Sequence, residues 1–305
     1  MIINMKKDRI KIKSGFLADR HPFSLLVFFL CVILISMFSK NPVILLISVF
    51  FSLGLLLKLR GLRNMLKFLR LTLILALLTA IINPMFNHRG RTVLARFKSG
   101  NALTLEACFY GLYAALILIS VFAWFSGFNH CFDTDKLLYI FGSLSPRLAL
   151  TLSMSLRFVP EFTAKAGEIR KMQKMLGGVG KKGLMGKFRN AMAVFGALLT
   201  WVLESSVTRS ESMKMRGYGQ AKRRMYSIYR WEAEDTCLTV FSLVFTGVYI
   251  LLLSRGSFDF WFYPVIYGDI FSAGAVLGYA VLAALMLLPV IFDNRLEGRR
   301  FKEYV

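Results

Sequence analysis

The sequence predicts an all-α polytopic membrane protein with six to eight membrane helices and additional cytoplasmic helices. Of its 305 residues, 56% are hydrophobic and only 18% are charged, which leaves more apolar surface than a soluble domain can bury. Several apolar runs also approach the roughly 20 residues that a helix needs to cross a hydrocarbon core. The six candidate spans are residues 23–38, 42–57, 71–86, 105–125, 237–253 and 270–292.

The spans divide the chain into five predicted regions. Some twenty polar and basic residues precede the first span, and no small-residue cleavage site precedes the second, so the first run is interpreted as a span and not as a cleavable signal peptide. The predicted regions are an N-terminal segment 1–20, membrane helices one to four within 21–128, a cytoplasmic coupling region 129–236, membrane helices five and six within 237–292, and a tail 293–305.

Basic residues predict the orientation of the chain. Lys and Arg concentrate before the first span, in residues 58–70, between Arg157 and Arg230, and in the tail, and the positive-inside rule assigns such regions to the cytoplasm. This threading predicts a multi-pass protein of the plasma membrane with both termini in the cytoplasm. One basic loop, residues 83–104, falls outside and disagrees. The net charge of +22 lies beside membrane spans, so orientation explains it better than nucleic-acid binding does.

The coupling region repeats one pattern. An apolar helix over 146–159 leads into an amphipathic segment over 160–176, and an apolar helix over 191–203 leads into a more polar segment over 204–216. Each apolar helix is short for a span and carries charge or serine, so the pair either crosses the membrane, re-enters it, or lies at its face.

The ends of the two amphipathic segments carry helix signals. Pro160 suits a helix entrance and predicts a turn away from the preceding helix. Gly177 and Gly217 each follow a predicted last helical residue, where glycine takes the left-handed conformation cheaply.

The first amphipathic segment has two different faces. Its apolar stripe consists of Phe162, Ala166, Ile169, Met172 and Leu176 at helical spacing. Its other side carries two pairs at spacings that allow ion pairing, namely Glu161 with Lys165 and Glu168 with Lys171.

Two interpretations of these segments stay open on the residues alone. The helices could lie flat on the headgroups with their basic residues toward anionic lipid. Alternatively, they could form docking levers for two soluble partners. An arginine at a helix C-terminus is favoured by the helix dipole and can fork onto two acceptors of a partner.

The chain shows no sequence sign of chemistry of its own. The glycine-rich stretch 177–187 has no Ser or Thr after a Gly-Lys, so it does not match a phosphate-binding loop. The three histidines of the chain are isolated from one another, and the six spans hold no charged residue in their central turns. An ion-driven carrier usually needs such charges, so we expect a non-enzymatic transport protein that borrows its energy. A self-sufficient secondary carrier is the alternative. A membrane enzyme acting on lipid would need clustered polar residues at one interface, and the sequence shows no such cluster.

Several blocks resemble the transmembrane T component of energy-coupling factor transporters, the vitamin and metal importers related to ABC transporters. They include "SLRFVPEF", "MQKMLGG", "SMKMRGYG", "NPMFNHRGRTVL" and "SIYR". The likeness runs from about residue 20 to about residue 230. It implies a scaffold that holds two cytoplasmic ATPases through two coupling helices and contacts an exchangeable membrane-embedded substrate-binding subunit. ATP and Mg would be bound by the ATPases, and no cofactor by this chain.

The resemblance also assigns candidate site residues. It places ATPase docking at Met215, Arg216 and Gly217, and a second docking motif at Met175, Leu176 and Gly177, where leucine stands in place of the arginine common in the family. Contact with the substrate-binding subunit falls on the apolar stripe, at Phe162, Ile169 and Met172. Weaker candidates are Arg209 and Glu211, with Arg157 and Pro160 as hinge or packing residues. The transported substrate is left open, because that choice would belong to the partner subunit.

Overall fold

The fold is described by a computed structural model over residues 20–87, 90–96, 102–175, 183–218, 229–258, 260–263, 267–268 and 272–303. Within these residues the chain forms nine helices and two short antiparallel hairpins. The helices are α1 (Pro22–Phe38), α2 (Pro42–Arg60), α3 (Leu62–Phe86), α4 (Leu105–Cys131), α5 (Thr134–Leu144), α6 (Pro146–Met175), α7 (Leu184–Met215), α8 (Ala233–Ser254) and α9 (Ala273–Glu303). The hairpins pair β1 (Val93–Arg96) with β2 (Ala102–Thr104), and β3 (Phe260–Trp261) with β4 (Tyr267–Gly268).

The predicted all-α polytopic membrane fold is confirmed. Among the described residues, five helices are long and apolar enough to cross a membrane, namely α2, α3, α4, α7 and α8. Two shorter apolar helices accompany them, α1 and the Ala273–Pro289 part of α9. The five include α7, whose apolar part the sequence left unassigned.

The helices of the coupling region are longer than predicted, because each apolar helix and the segment after it form one continuous helix. Pro160 lies inside α6 and not at a helix entrance. An internal proline removes one backbone hydrogen bond and crowds the preceding turn, at a cost of about 3 kcal/mol. The helix continues because side chains on both sides of Pro160, Phe158 and Phe162, contact α7. Likewise α7 runs unbroken through the predicted boundary at residue 203.

The chain divides into two compact units, the first comprising Met1–Thr134 with Tyr229–Val305 and the second Asp135–Ile228. The core of the first unit forms around α1. Phe28 and Phe29 are buried and meet Trp124 of α4 edge to face, with ring centroids 6.2 and 6.3 Å apart. Such aromatic pairs contribute about 0.5–1.5 kcal/mol beyond their buried area.

A buried hydroxyl network joins three helices of the first unit. Ser48 on α2 lies 2.7 Å from the Ser36 hydroxyl on α1 and 2.6 Å from the Ser120 hydroxyl on α4. The indole of Trp124 donates to the same Ser48 oxygen at 2.9 Å. Hydrogen bonds of this kind hold membrane helices together where no hydrophobic driving force acts between them.

Helices α3 and α4 approach closely through small residues. Gly111 of α4 lies against the backbone of α3, and a methyl group at this position would be 2.7 Å from the Ala80 carbonyl oxygen. Ala107 and Ala115, one turn before and after Gly111, are also buried. This small-xxx-small spacing lets two membrane helices pack backbone to backbone.

A polar cluster connects the chain before α1 to the start of α8. Asp235 is buried; its carboxylate accepts from the Ser24 hydroxyl at 3.1 Å and from the backbone N–H groups of His21 and Glu232. Arg20 forms ion pairs with Glu232 and Glu234. The contacts fix the first turn of α8, since Asp235 and Glu232 also form a capping box.

The Gly111 contact predicts a position-specific loss of stability. Gly111→Ala forces the added methyl group into the Ala80 carbonyl, and overpacking of this kind costs about 1–3 kcal/mol. Gly247→Ala on α8 is the matched control, because a methyl group there meets nothing within 4 Å. Thermal unfolding of both purified variants should show a lower melting temperature for Gly111→Ala alone. Equal melting temperatures would contradict the close approach.

The polar cluster predicts a dependence of stability on pH. Burial lowers the pKa of the His21 imidazole below its usual value, an effect that the Asp235 carboxylate opposes in part. The folded protein therefore favours the neutral imidazole of His21. The contribution of this imidazole to the free energy of unfolding is fully present above the unfolded pKa of about 6.5, and it is lost as the pH falls through the lower pKa of the folded protein. His21→Asn keeps a capping side chain without the titration. Its melting temperature should fall less than that of the parent protein between about pH 7.5 and 5.5, and parallel curves would refute this role.

Candidate functional site

The candidate site is a cavity of about 740 Å³ between α6 and α7, within the second unit. One wall comes from the middle of α6 and the other from the C-terminal turns of α7. Its lining residues are Met154, Arg157, Phe158, Glu161, Ser206, Arg209, Ser210, Ser212, Met213, Lys214, Arg216 and Tyr218.

Arg209 is the side chain that ties the two walls together. Its Nη2 forms an ion pair with the Glu161 carboxylate across the helices. Its guanidinium carbon also lies 4.3 Å from the centroid of the Phe158 ring. Both partners of the ion pair are partly exposed, so it contributes at most about 1 kcal/mol, with a similar amount from the cation–π contact.

A second contact joins the helices one turn further along α6. The rings of Phe162 and Trp201 meet edge to face with centroids 6.2 Å apart. The Lys165 ammonium lies 5.6 Å from the centroid of the same Trp201 ring and 2.9 Å from the Glu168 carboxylate.

The two ion pairs predicted within the first amphipathic segment are wrong in their partners. Glu161 pairs with Arg209 of α7, not with Lys165, and Glu168 pairs with Lys165, not with Lys171. The physical reason is that α7 brings a guanidinium to Glu161, which frees Lys165 to reach Glu168 one turn later.

The end of α7 confirms the predicted helix stop. Gly217 has a φ of 79°, which favours glycine. Its N–H donates to the Lys214 carbonyl at 2.9 Å, and the Tyr218 N–H donates to the Met213 carbonyl at 3.1 Å. These two bonds form a Schellman motif. Arg216 is the exposed residue at which the helix ends.

The cavity carries an excess of positive charge. Four cationic side chains line it against one carboxylate, Glu161, which is already paired with Arg209. Arg157, Lys214 and Arg216 form no ion pair with any residue that the structure describes. The backbone carbonyls at the end of a helix favour such cations, but an acidic partner would offer them a stronger interaction.

The structure brings some of the predicted site residues together and separates others. Arg157, Arg209 and Arg216 share the cavity, whereas Glu211 is exposed and does not line it. Met175 is 85% exposed at the far end of α6, about 20 Å along the helix from Glu161. Leu176 and Gly177 lie outside the described residues. Of the second predicted docking motif, therefore, only Met175 is placed, and it does not line the cavity that Arg216 lines.

The predicted apolar stripe of α6 is divided in two. Phe162 packs on Trp201 and is half-buried, as is Ile169, while Met172 is 58% exposed. A longer exposed stripe on α7 escaped the sequence reasoning. Its members, spaced three or four residues apart, are Leu184, Phe188, Met192, Phe195, Leu199, Leu203 and Val207. That spacing is a helical signal, but the split of the segment at residue 203 hid its length.

The sequence is similar to known transport proteins. A family model described as cobalt transport protein, CbiQ, matches residues 16–227. A stretch of 112 residues is 34% identical to the energy-coupling factor transporter transmembrane protein EcfT of Listeria innocua serovar 6a. The aligned stretch covers 35% of this chain and 41% of the Listeria protein, so the chain spans less than half the length of that relative.

The Arg209–Glu161 pair predicts a charge-swap result. Arg209→Glu places two carboxylates together and removes the contact with Phe158, so the crossing of α6 and α7 should loosen and limited proteolysis within residues 135–228 should speed up several-fold. Adding Glu161→Arg to this variant restores opposite charges and should recover most of the protection. A double variant as labile as the single one would show that the pair does not hold the crossing.

Proposed function

The chain belongs to the CbiQ family of cobalt transport proteins, and we propose that it is the transmembrane scaffold of an energy-coupling factor importer. In this role it couples ATP hydrolysis by two cytoplasmic ABC-type ATPases to uptake of a vitamin or metal through a separate membrane-embedded binding subunit. The family membership agrees with the resemblance that the sequence blocks predicted.

The observation that carries the proposal is the end of α7. Arg216 is exposed, lines a cavity with surplus positive charge, and stands where Gly217 ends the helix. A guanidinium at the end of a rigid helix can fork onto a carboxylate of a soluble partner. We propose that one ATPase is held here and the other at Met175, the exposed apolar residue with which α6 ends.

The exposed apolar stripe of α7 is evidence for contact with a second kind of partner. Seven large apolar side chains follow one face of this helix from Leu184 to Val207, over about 35 Å. A face of this length requires an apolar environment. We propose that it contacts the substrate-binding membrane subunit, and that Ile169 and Met172 of α6 extend the contact.

The energy source follows from this arrangement. In the proposed role, ATP and Mg bind to the ATPases, this chain is non-catalytic, and the transported substrate is selected by the binding subunit. The basic segment before α1 and residues 58–70, at the end of α2 and the start of α3, would face the cytoplasm. Both termini would lie there too, in keeping with the positive-inside rule.

Charge reversal at Arg216 tests ATPase docking. Arg216→Glu should reduce the amount of ATPase that copurifies in mild detergent by about half or more. At one of the two docking sites a carboxylate of this chain would then face a carboxylate of the ATPase and repel it. Arg255→Glu is the matched control, since Arg255 is also an exposed arginine at the end of a helix, α8, is also followed by a glycine of positive φ, and does not line the cavity. Membrane insertion of both variants should be normal.

Two outcomes would contradict the proposal. Unchanged ATPase recovery and substrate uptake with Arg216→Glu would remove this residue from docking. Uptake by the isolated chain in ATP-free vesicles, driven by an ion gradient, would identify a secondary carrier instead.

A further inference from the structure

Helix α3 lies at an edge of the first unit and exposes most of its surface. Its buried residues are Thr72, Ala76 and Pro84, and it packs against α4 on that side. Only 11% of the residues in its apolar stretch are buried. The remaining sides of this helix therefore meet whatever surrounds the protein.

One stripe on the exposed side changes character along the helix. Its seven residues are Arg63, Lys67, Arg70, Ile74, Leu78, Ile81 and Met85, spaced four, three, four, four, three and four apart. At about 100° per residue they fall within an arc of about 80°, on the side away from Ala76. The three cations are exposed, and each of the four apolar side chains is more than half exposed.

The three cations lack partners within the described structure. No ion pair involves Arg63, Lys67 or Arg70 among the described residues, and residues 58–70 contain no Asp or Glu. Arg60 shows the contrast, because it faces the bundle and donates to the Ser126 carbonyl at 3.2 Å. The stripe therefore offers three unpaired charges outward.

The length of the helix places these charges at the depth of the phosphate groups. The apolar part of α3, residues 71–86, is about 24 Å long as helix, shorter than the roughly 30 Å of a hydrocarbon core. The mismatch draws Arg70 and Lys67 toward the hydrocarbon boundary, where their aliphatic stems stay apolar and their charged heads reach the interface.

We propose that this stripe binds an anionic phospholipid: Arg63, Lys67 and Arg70 take the phosphate-bearing headgroup, and Ile74, Leu78, Ile81 and Met85 take the acyl chains. The apolar half extends about 16 Å from Ile74 to Met85, close to the hydrocarbon depth of one leaflet. A soluble phosphate would use only the cationic half. The proposal is independent of the docking role of Arg216.

The test compares lipid binding by three variants of the full chain in detergent, using added phosphatidylglycerol or phosphatidylcholine and native mass spectrometry. Arg63→Gln/Lys67→Gln/Arg70→Gln should weaken phosphatidylglycerol binding about tenfold or more, given the attraction of each cation to an anionic headgroup, and leave phosphatidylcholine binding unchanged. Arg63→Lys/Arg70→Lys keeps the charge and should retain binding. Lys171→Gln/Lys174→Gln/Lys187→Gln removes three exposed charges from α6 and α7 and should also retain it.

Each alternative source has its own outcome. Competition by glycerol phosphate in solution, equal to that by phosphatidylglycerol, would assign the cations to a soluble phosphate and overturn the lipid site. Equal phosphatidylglycerol binding by the neutral α3 variant and the parent chain would overturn it as well. So would an α3 variant that keeps its phosphatidylglycerol but loses a copurifying protein, because the stripe would then be a protein contact. A thermal unfolding transition measured in the same detergent with added phosphatidylcholine checks that each variant is folded.

Discussion

The side chain of Arg209 joins α6 to α7, and the geometry of the candidate site depends on it. It connects the Glu161 carboxylate to the Phe158 ring on either side of Pro160, the position at which α6 would otherwise be easiest to bend. Each contact is weak on its own. Together with the Phe162–Trp201 pair, they keep α6 continuous and hold two walls of the cavity in register.

Weak contacts at the crossing fit a part that transmits motion. In the proposed role, an ATPase that grips the end of α7 moves a helix of 32 residues whose opposite portion bears the apolar stripe. A helix of that length spans about 48 Å, so a displacement at Arg216 reaches Leu184 through unbroken backbone. The first unit is built differently, with buried serine, aromatic and carboxylate contacts that fix its helices.

Composition and local spacing predicted the fold class because both reflect burial in hydrocarbon, which acts on every residue of a span. The stop at Gly217 was predictable for a local reason too, since only the φ of one residue decides it. The continuity of α6 was not, because the contacts that offset Pro160 come from α7. The Glu161–Arg209 pair joins residues 48 positions apart, and helical spacing supplied nearer but incorrect partners. Arg216 was proposed from its motif, and the structure places it in the cavity lining, whereas the α7 stripe was hidden by a predicted boundary.

Site-specific crosslinking can show whether an ATPase holds the end of α7. A photoreactive amino acid placed at Arg216, and separately at Arg255 of α8 as the control, would be activated in intact cells and the adducts identified. If an ATPase holds the end of α7, position 216 gives adducts with the ATPase and position 255 gives none. Adducts of position 216 with lipid alone would show that this end of the helix lies on the membrane surface. That result would contradict ATPase docking at Arg216.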